Sequence, residues 1–274
     1  MQKFAQYIKR IEIQNLWAGR KHIVWELNPE VNILSGVNGV GKSTILNRIV
    51  SGIRHKNNIG RVDDIPGVAL EFYPKEANAI RFDVIRTFDN GLVPASILSK
   101  INEEGIRSEM DWRIYELQRK YLDYQVNIGN RIISALTSGL PDAQMKAVEI
   151  STPKFQFQNL IDELFADTEK YIDRNSNEMR FMQYDQKLSP YALSSGEKQM
   201  IIILLTVLLQ NRMPHVLVLD EPEVSLHVEW QEKLINIIKI LNPNVQIILT
   251  THSPALVMNG WTDTVTEVTD ITTD

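Results

Sequence analysis

Apolar and polar positions alternate over residues 8–16 and again over 22–27, the two-residue period of half-buried strands. A third, continuously apolar run at 31–34 stops at a glycine-rich segment, and residues 43–53 beyond it repeat at helical spacing. Two further runs, 68–73 and 79–85, read as a strand pair in an antiparallel side sheet. From Met110 onward the apolar residues Ile114, Leu117, Tyr121, Tyr124 and Ile128 recur at steps of four and three, which is the seam of an amphipathic helix. Ser108 with Asp111 forms a capping box before it, and Gly139 with Pro141 supplies a stop, so the pattern predicts about 30 helical residues, about 45 Å of axis. A second helical segment is expected over 159–171.

The pattern changes after that. An apolar helix follows the run LSSGEKQ, then comes the strand VLVLDE, a helix over about 229–241, and the strand QIILTTHS. Strands that are apolar on both sides and alternate with helices indicate parallel strands covered on both faces. The expected organisation is an α/β core built from residues 1–95 and 179–274, with a helical lobe inserted at 96–178.

Composition narrows the chemistry. The 274 residues contain no cysteine, which excludes disulfides, thiolate metal sites and a cysteine nucleophile and suits the cytoplasm. The longest apolar stretch, residues 200–209, is too short to span a bilayer as a helix, so no membrane insertion is expected. A net charge of −5 offers nucleic acid no global attraction. Short basic clusters, Arg20 to His22 and Arg54 to Lys56, could touch phosphates, but phosphate binding normally needs several cations acting together.

The candidate chemistry lies in three motifs. Gly36 to Thr44, GVNGVGKST, matches G-x-x-x-x-G-K-[ST] between an apolar strand and a helix, the context that a phosphate-binding P-loop requires. Gly36, Gly39 and Gly41 let backbone amides turn inward, and Asn38, Val40 and Thr44 complete the cradle beside them. Lys42 is expected to reach the β- and γ-phosphates of ATP, and Ser43 to ligate Mg²⁺. The strand ending in Asp220 and Glu221 places one carboxylate to hold Mg²⁺ and the next to orient or deprotonate the attacking water. Finally, Thr251-His252-Ser253-Pro254 follows a strand and resembles the switch-histidine segment of ABC-type ATPases, a resemblance that implies contact of His252 with the γ-phosphate region.

Leu193 to Glu197, LSSGE, resembles the LSGGQ signature of ABC-type ATPases and precedes the acidic strand as in that family. The resemblance implies an ABC-type P-loop NTPase core, with Ser194, Ser195 and Gly196 acting across a head-to-tail homodimer, or a higher oligomer, on ATP held by the opposite subunit. Asn38 in the loop, Glu197 in the signature and the EPEVSLH run at 221–227 are more similar to the SMC, RecF and OLD group than to transporter ATPases. That group implies an ATP-hydrolysing switch or sensor controlling a separate effector protein in anti-phage defence or DNA maintenance. A transporter's ATPase subunit and a DNA-stimulated repair ATPase are the alternatives. His227 stands where the family has its D-loop aspartate. No glutamine occurs at the usual Q-loop place, where Asp89 or Asn90 could substitute. The stretch after the switch histidine is short for the nuclease domain that OLD proteins carry, which places effector activity on another polypeptide.

Overall fold

The computed structural model describes residues 2–17, 19–57, 67–86 and 105–273. Its centre is a five-stranded parallel sheet in the order β11-β3-β10-β9-β5, made by β3 (Val31–Ser35), β5 (Phe82–Ile85), β9 (His215–Asp220), β10 (Val245–Thr250) and β11 (Val265–Glu267). Each residue of the central strand β10 is buried. Its side chains alternate between two cores: Ile247 and Leu249 join one cluster with Leu217, Leu219 and Ile33, whereas Ile248 joins the other with Val216, Val218 and Leu34. This is the pleat expressed as packing, because successive side chains leave a strand on opposite faces.

The second core is closed by α1 (Lys42–Lys56) and by an antiparallel sheet in the order β12-β2-β1-β4, comprising β1 (Tyr7–Leu16), β2 (Lys21–Glu26), β4 (Val68–Tyr73) and β12 (Thr272–Thr273). The alternation over 8–16 is explained here: Ile8, Ile11, Ile13 and Leu16 are buried. The expected pairing of 68–73 with 79–85 does not form. β4 pairs with β1, whereas β5 runs parallel to β9 at the edge of the central sheet. The alternation of a short run sets which side chains face a core, but it carries no information about the partner strand.

The first core lies under α2 (Glu109–Leu136), α3 (Ala143–Leu164), α4 (Ser195–Leu209) and α5 (Val228–Leu241). Ile114, Leu117 and Tyr121 of α2 and Phe157, Ile161 and Leu164 of α3 share this cluster with α4 and the sheet. The capping box of Ser108 and Asp111 is formed as read, and α2 spans 28 residues. The second helix differs from expectation. It begins at Ala143 and ends at Leu164, and Tyr171 lies in β6 (Lys170–Ile172), which pairs with β7 (Phe181–Gln183) and through it with β8 (Gln186–Leu188). Pro153 inside the helix reads locally as a breaker. One turn earlier, the hydroxyls of Ser151 and Thr152 donate to the Val148 carbonyl at 2.9 and 2.7 Å, and burial of Phe157 and Ile161 beyond the proline holds the helix together. A five-residue helix, α6 (Pro254–Met258), follows β10. Among the described residues no helix is long and apolar enough to cross a membrane.

Candidate functional site

Because β3, β9 and β10 are parallel neighbours, their carboxyl ends meet at one edge: Thr250 stands opposite Asp220 on one side and Leu34 on the other. The chain leaving β3 forms the glycine-rich loop. Gly39 and Gly41 occupy left-handed backbone, at φ of 80° and 99°. A side chain at Gly41 would also place its Cβ 2.1 Å from Cζ2 of Trp17, whose ring packs over this turn. At Gly36 the added carbon would lie 2.9 Å from Val40 Cγ1. Helix α1 then starts without a side-chain cap and without an acidic residue in its first turn. Its first amides and its partial positive charge are therefore left for an anion, and a lysine opens the helix. Lys42 is buried, with its ammonium donating to the carbonyls of Gly36 at 2.9 Å and Val37 at 3.4 Å, inside the loop. Asn38, Gly39 and Thr44 are exposed around it, and Val40 packs towards the second core.

Ser43 follows directly, and its hydroxyl donates to Asp220 Oδ1 at 3.1 Å. The same carboxylate oxygen accepts the Thr250 hydroxyl at 2.6 Å. The backbone turns sharply after Asp220: Glu221 has φ of 48°, and its N–H donates to Thr250 Oγ1 at 3.1 Å and to the Thr250 carbonyl at 3.2 Å. A glutamate in left-handed backbone is strained, and these bonds hold it there. His252 Nε2 lies 3.5 Å from Glu221 Oε1. Lys42, Ser43, Asp220, Glu221 and His252, drawn from three separate segments, are thus assembled at one sheet edge.

The signature residues are held elsewhere. Ser194 caps α4: its hydroxyl accepts from the Glu197 N–H at 3.3 Å, and Glu197 accepts from the Ser194 N–H at 2.9 Å. Ser194 and Ser195 are exposed. A Cβ on Gly196 would sit 2.4 Å from the Ser225 carbonyl oxygen, so only glycine lets α4 start this close to the loop after β9. Glu197, 3% exposed, also receives the Lys170 ammonium of β6 at 2.8 and 3.1 Å and the Thr168 hydroxyl at 3.1 Å. Burial opposes its ionisation, but the Lys170 ammonium and the Ser194 donors outweigh it and hold the carboxyl below its usual range. Lys198 pairs in the same way with buried Asp111 of α2, 2.8 Å away. Burial again opposes the charge, and Lys198 with the capping donors of Ser108 and Arg107 lowers the Asp111 value.

Three residues of this edge escape motif reading. Thr250 joins Asp220 to the Glu221 turn, Glu223 grips the segment that carries His252, and Trp17 covers Gly41. The second glutamate of the EPE run was the available signal for Glu223. Asp89 and Asn90 lie outside the described residues. His227 is exposed at the N-terminal end of α5.

The family described as "AAA domain, putative AbiEii toxin, Type IV TA system" matches residues 95–259, more than half of the chain. The chain belongs to this AAA-domain family. The matched stretch includes LSSGE at 193–197, the acidic strand ending in Asp220 and Glu221, and His252. Septu protein PtuA of Bacillus thuringiensis is 25% identical over 297 aligned residues, covering 91% of this chain and 72% of that protein. The Retron Vc95 probable ATPase of Vibrio cholerae serotype O1 biovar El Tor is 30% identical over 88 residues, 28% of this chain and 17% of that one. Among solved structures, an SMC head bound to the C-terminal winged-helix domain of ScpA aligns over 92% of this chain and 91% of its own, at 14% identity and a TM-score of 0.49.

Proposed function

We propose that this AAA-family protein binds ATP with Mg²⁺ and hydrolyses it as a head-to-tail dimer, and that this cycle switches a separate effector protein in anti-phage defence. The observation carrying the reading is the meeting of Ser43 and Asp220 at 3.1 Å beside the buried Lys42, with Glu221 and His252 3.5 Å apart on the same edge. A hydroxyl and a carboxylate sharing one point are the oxygen donors a hard cation takes, and two protein ligands leave its other positions to phosphate and water. When bound, such an ion would neutralise charge on the β- and γ-phosphate oxygens. Lys42 turns its ammonium from the loop carbonyls to the phosphates, while the uncapped amides of α1 surround them. Glu221 orients the attacking water and draws off its proton, and His252 donates a hydrogen bond towards the γ-phosphate.

The signature supports the dimer. Ser194 and Ser195 are exposed, and the hydrogen bonds of Ser194 run to Glu197 rather than to the P-loop, leaving these residues available to another subunit's nucleotide. The likeness to Septu protein PtuA over 91% of the chain, with the family's toxin description, supports the defence setting and a partner. Light scattering with ATP and Mg²⁺ tests the switch. Glu221→Gln keeps the shape of the site without the base, so it accumulates as a dimer or larger assembly, and adding Ser194→Arg abolishes that gain. An unchanged mass for Glu221→Gln, or a gain indifferent to Ser194→Arg, would overturn the head-to-tail reading.

A further inference from the structure

Glu223 is two residues beyond the proposed base, and its carboxylate bonds the segment that follows β10. Its Oε1 accepts two hydrogen bonds, each of 2.7 Å: from the Thr251 hydroxyl and from the backbone N–H of His252. Thr251 is buried, and its oxygen in turn accepts the Ser253 N–H at 2.9 Å. The Ser253 hydroxyl donates to Gln231 of α5, whose amide nitrogen donates at 2.8 Å to the Leu226 carbonyl, in the loop that leads to His227. Among the described residues no donor reaches the other oxygen of Glu223, although it is shielded from solvent. One oxygen thus does all the holding, and it holds the residue that carries the imidazole.

We propose that Glu223 is the positioning residue of the switch histidine. The chain after β10 leaves the sheet at Thr251, and nothing in the ladder constrains it from there. A carboxylate accepting from both the side chain of Thr251 and the amide of His252 restrains that backbone through charge-assisted bonds, which are about twice as strong as neutral ones. His252 is thereby directed at Glu221 without Glu223 touching the nucleotide. The Gln231 bridge ties the same segment to the loop before His227, so the two loops move together.

This inference rests on the proposed hydrolysis, and its test separates the two. Glu223→Met keeps the side-chain volume without an acceptor, and Glu223→Gln keeps one oxygen in place. ATP affinity, steady-state turnover and hydrogen exchange of the His252 amide are measured for both and for the unaltered protein. Glu223→Met is expected to lower turnover by tenfold or more while ATP affinity stays within about twofold, because a small misplacement weakens the chemical step and leaves binding intact. The His252 amide then exchanges about tenfold faster or more. Glu223→Gln recovers most of the turnover and of the protection. Equal turnover in all three proteins, equal losses in Met and Gln, or unchanged exchange at His252 overturns the proposal. If Glu223→Met and Glu223→Ala both lose ATP binding, the residue serves the fold and the proposal also fails. If the unaltered protein does not hydrolyse ATP, the hydrolytic reading falls, and the exchange measurement alone decides whether Glu223 holds His252.

Discussion

Single residues at the sheet edge carry distinct and separable duties. Lys42 is the buried cation of the loop, and the first amides of α1 beside it carry no side-chain cap. Lys42→Ala is expected to weaken ATP binding by more than about 100-fold, since a hydrogen bond to a charged group contributes about 1.5–3 kcal/mol and the loss of a charge facing phosphates adds to it. Titration calorimetry that finds micromolar affinity retained would refute the P-loop assignment. Gly196 is a packing residue in this fold, whatever it does in an assembly. Gly196→Ala drives a methyl to within 2.4 Å of a backbone oxygen, so α4 or the Ser225 loop must shift. A loss of about 1–3 kcal/mol is expected in urea unfolding, with the dimer signal of a Glu221→Gln background lost as well.

Among the elements, α4 is anchored at its first turn by two ion pairs. Consecutive residues Glu197 and Lys198 pair with Lys170 of β6 and Asp111 of α2, and all four side chains are 14% exposed or less. Both carboxylates titrate below their ordinary values of 4.5 and 3.8 when folded, so their contribution to stability is complete above those values. It is lost as the pH falls through the lower folded values. Urea midpoints should therefore drop as the pH falls below 4.5 rather than between pH 6 and 4.5, and the drop should be shallower in Glu197→Gln. Lys170→Ala leaves a buried carboxylate unpaired and should cost about 3–5 kcal/mol, whereas Lys170→Met with Glu197→Gln should recover most of it. Equal stability of the single and double variants would show that the pair contributes nothing to anchoring the signature helix.

At the scale of the whole molecule, the motif residues and the signature are held by separate sets of bonds. Lys42, Ser43, Asp220, Glu221 and His252 share one edge, while the signature is bonded to Lys170 through Glu197 and to Asp111 through the next residue, Lys198. His227 is exposed at the start of α5. His227→Ala is expected to change the Hill coefficient of ATP hydrolysis with less than about threefold change in ATP affinity, because the side chain is not under the triphosphate. A large affinity loss at constant cooperativity would place it inside the nucleotide site instead.

The amino-acid sequence alone determined what local chemistry can encode. Glycine spacing followed by Lys42 and Ser43, the acidic pair after four aliphatic residues, and the Ser108–Asp111 cap all depend on neighbours within a few positions, and each is found in the structure where the chain was read to place it. The decisions that went elsewhere needed distant partners. β5 chose β9 over β4, α3 continued through Pro153 because Phe157 and Ile161 had a core to enter, and Glu223 acquired its meaning only when β10 delivered Thr251 and His252 beside it. Periodicity states that a face is buried. Only the packed molecule states against what, since that depends on contacts between residues far apart in the chain, which no local pattern contains.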